Sequence, residues 1–336
     1  MNKILFIIIF LSLSSSCSSS GVNDKTTEKL EHDLLKKLET KEGQLSPKKN
    51  PPKKNISKKV AIELKNHVGV KKESSKNIVL TKGPLIQESK KGSVSISGAK
   101  DLAQRNKKLD FPAKVAQLIK TRFDYRYKVS LIGVVMGELR RFSKNVDDQE
   151  FILAGTLKNN SFYKYLYSIN DSITTNVRKS DLYPILVNLV KNENKRSSVS
   201  IQKMLDGKVS FFENNIKNGK KSSRERSVKF TGHYFDPLLF LRFIEVSDVE
   251  NFIGDNFPVI YSGKLYYLKV REVKKIKREW KGQPINVQKI FFDTIRNNKI
   301  KKDQKISIEK TTGKNSRIVS LQGKMKVGVL HGEILE

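Results

Sequence analysis

Cysteine occurs once in 336 residues, at Cys17, so the chain can close no internal disulfide and can build no thiolate metal cluster. Histidine is nearly as scarce: His32, His67, His233 and His331 are the four. None belongs to an HExxH pair, and none stands beside a second histidine and a carboxylate at ligand spacing. A glycine-rich phosphate loop and a Gly-x-Ser-x-Gly elbow are missing too, and with them the sequence marks of P-loop enzymes and α/β-hydrolases. No metal and no cofactor is expected. Long apolar runs are absent as well. The longest, Ile4–Leu13, is about half of the ~20 residues that a membrane-spanning helix needs. Hydrophobic residues make up only 37% of the chain, below the ~45–50% of ordinary globular proteins. Part of the chain is expected to stay outside any core.

Positive charge is what the sequence has in excess. Lys and Arg number 66 against 34 Asp and Glu, a formal net charge of +32. Such a chain is drawn to polyanions: nucleic acid, anionic lipid head groups or acidic envelope polymers. The accompanying wealth of Asn and Ile is also what an AT-rich coding sequence gives, so composition alone does not assign the charge a role. No zinc finger, aromatic RNA-recognition motif or helix-turn-helix pattern accompanies it, and nucleic acid is not an expected partner.

The N-terminus sets the compartment. Met1–Lys3 supply a positive start, Ile4–Leu13 an apolar stretch of export-signal length, and Ser14–Ser16 small residues leading to Cys17. This order resembles a bacterial lipobox, in which the cysteine is diacylated and becomes the mature N-terminus. The aliphatic residue usual three places before the cysteine is replaced by Ser14, with Leu13 one further back. Residues 1–17 are thus expected to be a lipoprotein signal, with Cys17 the lipidation site. Ser18 rather than Asp follows, which points to the outer membrane, facing the periplasm. Two or more acyl chains hold a protein stably on a bilayer, where one is marginal.

Residues 18–109 read as a lysine-rich flexible tether. Leu30, Leu34, Leu35 and Leu38 have helical spacing, but the stretch after them, with Pro47, Pro51 and Pro52 among lysines, forbids helix and repels itself. As a flexible coil, ~90 residues reach roughly 50 Å end to end. From Asp110 the pattern changes. Asp110-Phe111-Pro112 suits a helix start, with a short helix over 113–120. Phe123, Tyr125, Tyr127 and Val129 then alternate with polar residues, and Tyr163, Tyr165, Tyr167 and Ile169 repeat this. Further strand-like runs are 150–157, 198–205, 209–216, 265–273, 287–295, 306–310, 317–323 and 325–335. Asp206-Gly207, Asn218-Gly219, Ser262-Gly263 and Thr312-Gly313 stand between runs as hairpin signals. Near ten strands joined by hairpins predict a mainly β domain over 110–336, an antiparallel β-barrel or strongly curved sheet. Phe235–Ile244 (FDPLLFLRFI) is too apolar for a surface strand. It opens with Asp-Pro, an N-cap followed by proline at N1, and predicts a short helix packed on the sheet. Balanced lysines on the alternate positions and short strands disfavour a porin-like barrel.

Three stretches resemble the bacterial periplasmic family of unknown function catalogued as DUF 3108. They are Phe123–Glu138 with Gly133 and Gly137, Asp236-Pro237-Leu238 followed by Arg242, and Val319–Glu333. The Asp-to-Arg spacing is shorter here and no serine follows Asp-Pro-Leu. The resemblance covers about residues 110–336 and implies an exported, β-barrel-like domain with no established reaction.

Candidate site residues are few. Tyr125, Tyr127, Tyr165 and Tyr167, with Tyr266 and Tyr267, either line the mouth of a ligand-holding barrel or pack an ordinary core. Gly133 and Gly137 suit a bulge or barrel corner. Asp236 and Arg242 are expected to be structural, and His233 beside Asp236 is the one nearby acid–base pair. The expected function is that of a non-catalytic cell-envelope lipoprotein whose barrel binds or scaffolds an envelope component. Its partners are then the membrane, through the lipid anchor, and anionic envelope polymers or lipid. The alternatives are a carrier of lipid or another apolar ligand and, less favoured, a hydrolase with an unrecognised triad. Growth with a palmitate analogue tests the address. Label and membrane association are expected in the wild type and lost in Cys17→Ala; label in both proteins, or in neither, contradicts the lipidation site.

Overall fold

The computed structural model describes residues 111–335, apart from 161–167, 195, 206, 231, 314 and 326–327. Cys17, the 18–109 segment, Tyr165 and Tyr167 lie outside the described residues. Helix α1 (Ala113–Ile119) is followed by eight strands: β1 (Asp124–Leu131), β2 (Val134–Asn145), β3 (Glu150–Asn159), β4 (Asn170–Arg178), β5 (Pro184–Glu193), β6 (Arg196–Leu205), β7 (Lys208–Lys217) and β8 (Lys220–Lys229). Helix α2 (Pro237–Val246) and a single 3-10 turn (Val249–Phe252) come next. Six more strands complete the chain: β9 (Asn256–Tyr261), β10 (Lys264–Trp280), β11 (Gln283–Arg296), β12 (Lys299–Thr311), β13 (Ile318–Met325) and β14 (Gly328–Ile334).

All fourteen strands form one curved antiparallel sheet in the order β8-β7-β6-β5-β4-β3-β2-β1-β14-β13-β12-β11-β10-β9. Two meanders, β1–β8 and β9–β14, are thus joined where the first strand pairs with the last, Tyr127 opposite Ile334. The sheet is larger than the near-ten strands expected and is not closed, since β8 and β9 are its two ends. Strand β1 keeps the predicted alternation, with Tyr127 and Val129 buried and Arg126 and Lys128 exposed. Strand β8, KKSSRERSVK, is an edge exposed over most of its length, with only Arg226 and Val228 half-buried, and apolar periodicity cannot find such a strand. Tight turns with both central residues at positive φ occur at Asn218-Gly219 and Ser262-Gly263 as predicted, and also at Ile132-Gly133, Lys281-Gly282 and Asn297-Asn298. Gly133 therefore serves a hairpin turn and not a barrel corner. Gly137 sits beside the β1–β2 register shift, and a Cβ there would come within 2.2 Å of the Lys158 carbonyl oxygen on β3. Thr312-Gly313 falls in a longer connection between β12 and β13.

The concave side of the sheet is filled at one end by α2. Asp236 accepts hydrogen bonds from the Leu238 and Leu239 amides and from Thr175 Oγ1 on β4, the predicted N-cap. Every residue from Pro237 to Glu245 is buried. Leu238 packs toward Gly155 and Ile173, and Phe240 lies tilted against Phe257 and edge-on to Phe292, with centroids 5.8 and 5.6 Å away. Six large apolar side chains of α2 are each worth about 1.5–3 kcal/mol in place, which holds the helix against the sheet. The segment before α2 also covers the free edge of β9. Phe235 N–H donates to Pro258 O, and Ile260 N–H donates to Phe235 O, both at 2.9 Å. Gln202 Nε2 donates to Ile260 O at 3.2 Å. An open strand edge is thereby covered.

The C-terminal end of α2 carries a buried polar network. Arg242 donates to Leu118 O at 2.7 Å and to Glu245 at 2.8 Å, so one guanidinium ties α1 to α2. Glu245 also accepts from the Ile318 amide and lies 3.7 Å from Arg141. Arg141 donates to the hydroxyl of Tyr127, which donates to Ile318 O. Lys310 donates to the carbonyls of Ile244 and Ser247, a cation at the negative end of the helix. Removing one partner of such a cluster strands the others. Glu245→Ala is expected to cost about 3–5 kcal/mol in urea unfolding, and a loss below about 1 kcal/mol would deny the network its role. Burial brings the Lys310 pKa down to about 8 from 10.5. The folded state then sheds this proton before the unfolded chain does, so Lys310 makes stability rise with pH across that window. Lys310→Met is expected to make that rise shallower, by the share that Lys310 contributes.

Candidate functional site

Register and alternation identify which residues share the concave face with α2. Ile173 and Thr175 touch the helix region, so Asp171, two residues back on β4, faces the same way. Leu189 pairs with Ile173, which places Lys191 and Glu193 of β5 on that face. Ser200 pairs with Leu189, bringing Ser198 and Arg196 of β6. Glu213 pairs with Ser200, and Arg224 and Arg226 of β8 pair with Glu213 and Phe211. From the other end of the sheet, Phe257 packs on α2, so Val259 and Tyr261 share its face. Lys264 and Tyr266 are their pairing partners on β10. Arg296 of β11 stands 5.6 Å from the Tyr266 ring. One end of the concave face is therefore apolar and filled, while the other is ionic.

Six cations and three carboxylates meet at the ionic end. Glu213 lies 3.7 Å from Arg196 and 3.6 Å from Arg224, and Arg196 also donates to Asn215 at 3.0 Å. Asp171 is 2% exposed; its Oδ1 accepts from the Asn192 amide, and its Oδ2 has no hydrogen-bond partner among the described residues. Burial, and then the neighbouring Glu193, hold its pKa well above the ordinary carboxylate range. Burial pulls the Lys191 ammonium down, against the attraction of Glu193 and Asp171. On the other side, burial and the adjacent Arg226 and Arg296 bring Lys264 down to about 8. Arg226 is lowered by burial and by Arg224. Burial pushes the hydroxyls of Tyr261 and Tyr266 upward, and that of Tyr266 has no hydrogen-bond partner among the described residues. The arrangement suits capture of an anion. Among the described residues, no group of three or more His, Cys, Asp or Glu is arranged to hold a metal.

The tyrosines picked from sequence are only partly here. Tyr266 is at the ionic end, and Tyr267 points to the opposite face. Tyr125 stacks on Phe123 with centroids 5.3 Å apart. Tyr127 is fully buried in the Arg141 network; it lines no opening, because its ring and hydroxyl are both spent in the core. Asp236 and Arg242 are structural, as described above. The His233–Asp236 pair does not form: His233 Nε2 lies 3.0 Å from Leu182 O, in a box of Phe111, Tyr183 and Phe235. A serine–histidine contact occurs elsewhere, Ser320 Oγ at 2.9 Å from His331 Nε2 across β13 and β14. Ser320 is 0% exposed, and the two carboxylates that act on His331, Glu333 and Glu309, are both held by Arg278. Sequence reasoning missed the ionic end. Its one signal is charge at every second position, as in Arg224-x-Arg226 and Lys191-x-Glu193, which in a single strand looks like an ordinary solvated face.

No family model matches the chain, and no curated protein matches it. Among solved structures, it is similar to a β-barrel-like protein of a domain of unknown function, DUF1849, from Brucella abortus. The TM-score is 0.43 at 9% identity, over 63% of this chain and 96% of that one. No helix among the described residues is long and apolar enough to cross a membrane.

The buried Asp171 carboxyl gives the site a stability signature. Its folded pKa lies above the ordinary 3.8, so the folded state keeps this proton longer than the unfolded chain, and stability falls as pH rises through that window. Asp171→Asn is expected to melt at a higher temperature than wild type at pH 8 and to lose that advantage at pH 4. A variant less stable than wild type at pH 8, and by more than at pH 4, would mean that the carboxylate is ionised and favourably paired.

Proposed function

We propose that this chain is a non-catalytic lipoprotein of the cell envelope, anchored at Cys17, whose β domain binds an anionic envelope component at the ionic end of its concave face. The export signal and lipobox support the address, and the DUF 3108-like stretches agree with an exported β domain. The observation that carries the binding reading is a contrast between the two faces of one sheet. On the convex face, charges meet opposite charges: Lys128 with Glu333, Arg278 with Glu309 and Glu333, Lys289 with Glu309, and Arg140 with Asp124. At the concave ionic end, Arg226, Lys264 and Arg296 face one another, and no carboxylate among the described residues lies within 4.0 Å of them. Like charges held together repel, so an arrangement of this kind favours an anion.

Two further features weigh in the same direction. Helix α2 occupies the apolar part of the concavity that a lipid carrier would keep open, which favours binding at the rim over carriage inside. The buried Ser320 and the engaged carboxylates around it offer no activated nucleophile, which favours binding over hydrolysis. The tether then serves as a spacer, and the domain, with an excess of basic residues of its own, as the reader of its surroundings.

The test is pull-down of the full-length protein on isolated peptidoglycan sacculi and on an anionic glycan, across a salt series. Binding is expected to weaken as salt rises and to fall at least about fivefold in Arg224→Gln/Arg226→Gln, since each lost charge contact is worth about 1 kcal/mol or more. Replacing Lys48, Lys49, Lys53 and Lys54 by Gln is expected to leave most of it. The reverse pattern, with loss through the tether and none through β8, would contradict the reading.

A further inference from the structure

The ionic end divides into two halves of different character. Around Asp171, Lys191, Glu193, Arg196 and Glu213 the charges are of both signs, with Arg196 paired to Glu213. At the seam, where the β9–β10 turn meets β7 and β8, they are of one sign. The turn is jammed there: Gly263 has φ 64°, and a Cβ on it would stand 2.8 Å from Cβ of Phe211 and 2.9 Å from Cβ of Arg226. Only glycine lets the two ends of the sheet approach this closely. Arg226 donates one N–H to the Ser262 carbonyl at 3.3 Å, which fixes its head group beside the turn. Lys264 follows two residues later, and Tyr266 two after that on the same face. Arg296 lies over the Tyr266 ring. Tyr266 is 0% exposed, and its hydroxyl has no hydrogen-bond partner among the described residues. The three cations above it are only partly buried, so solvent reaches them. Glu213, the carboxylate nearest in register, is already shared by Arg196 and Arg224.

We propose that this seam is a binding site for a phosphate group, held by Arg226, Lys264 and Arg296, with the Tyr266 hydroxyl donating from beneath; the proposal rests on the reading that the ionic end is the binding face. The chemistry matches by count and by shape. Two guanidinium forks and one ammonium supply many donors around a point, more than a single carboxylate can accept, whereas a phosphate offers three or more oxygens and close to two negative charges. A buried phenol hydroxyl needs an acceptor, and one phosphate oxygen supplies it. Burial, and then the neighbouring Arg226 and Arg296, lower the pKa of Lys264, and a bound dianion would oppose that shift.

Calorimetric titration of the full-length protein with inorganic phosphate, at constant ionic strength and with chloride and acetate as controls, tests this. Saturable one-to-one binding is expected for phosphate alone. Lys264→Gln and Arg296→Gln are each expected to weaken it about tenfold, in keeping with loss of a charge-assisted hydrogen bond, and Tyr266→Phe about threefold. Lys158→Gln, on the convex face, is expected to have no effect. In the wild type at pH 8.5, binding is expected to take up protons, read as a heat that depends on the buffer, because Lys264 is then partly neutral and phosphate recharges it. This measurement needs no variant. Phosphate binding no better than chloride, folded Lys264→Gln and Arg296→Gln proteins that bind like wild type, or no proton uptake would each overturn the proposal. Glycerol phosphate and short-chain phosphatidylglycerol, titrated separately, distinguish a free phosphate ester from a lipid head group, and tighter binding of either supports the site. Sacculus or glycan binding that persists without phosphate binding would sink the seam and leave the envelope reading standing. Phosphate binding without any glycan or sacculus binding would do the opposite.

Discussion

Burial of α2 is the constraint on which the remaining structure depends. A ten-residue helix with Leu, Phe and Ile on every side is stable only when covered all round, and a sheet that curls about it is one way to provide that cover. The helix then carries its own polar requirements inside. Its first turn is satisfied by Asp236 and its last by Lys310, and the Arg242–Glu245 pair ties it to α1 and to the start of β13. These contacts draw in strands from both meanders, β1, β2 and β4 on one side and β12 and β13 on the other. The sheet thus acquires its curvature without closing its hydrogen-bond ladder.

The helix is shorter than the strands that surround it, and this shapes what is left for function. Apolar side chains line the concave face as far as α2 reaches. Beyond it, the same strands turn ionic at alternate positions: Asp171 after Ile173, Lys191 after Leu189, Glu213 after Phe211, and Arg226 after Val228. A concave stretch lined by charged side chains arises because a filled core ends before its walls do. Keeping six cations and three carboxylates in that half-buried space costs stability, as the displaced pKa values of Asp171, Lys191 and Lys264 indicate, and such costs concentrate where proteins bind ligands.

The fold class was legible because β1 and its neighbours put charge on one side and aromatic or aliphatic residues on the other, and because Asn-Gly and Ser-Gly marked turns. The α2 helix was legible from Asp-Pro followed by an apolar run. Strand β8 was not, since an exposed edge offers almost no apolar residue to mark its inner face, and β10 reached Trp280 through a charged stretch that hides its period. The ionic end was hidden for a different reason. Lys191, Arg196, Glu213 and Arg226 come from different strands, and only the register of four paired strands sets them on one face. Tyr127 illustrates the converse: its alternation was read correctly, but whether an inward side chain lines a cavity or fills a core depends on what lies opposite, here Arg141 and Ile318.

Amide hydrogen exchange of the full-length protein, with and without a saturating anionic ligand, addresses the division of the concave face most directly. The account predicts that α2 amides exchange only through global unfolding in both states, while residues 224–226 and 262–266 slow when the ligand is present. Fast exchange in α2, or protection by the anion confined to other strands, would contradict it.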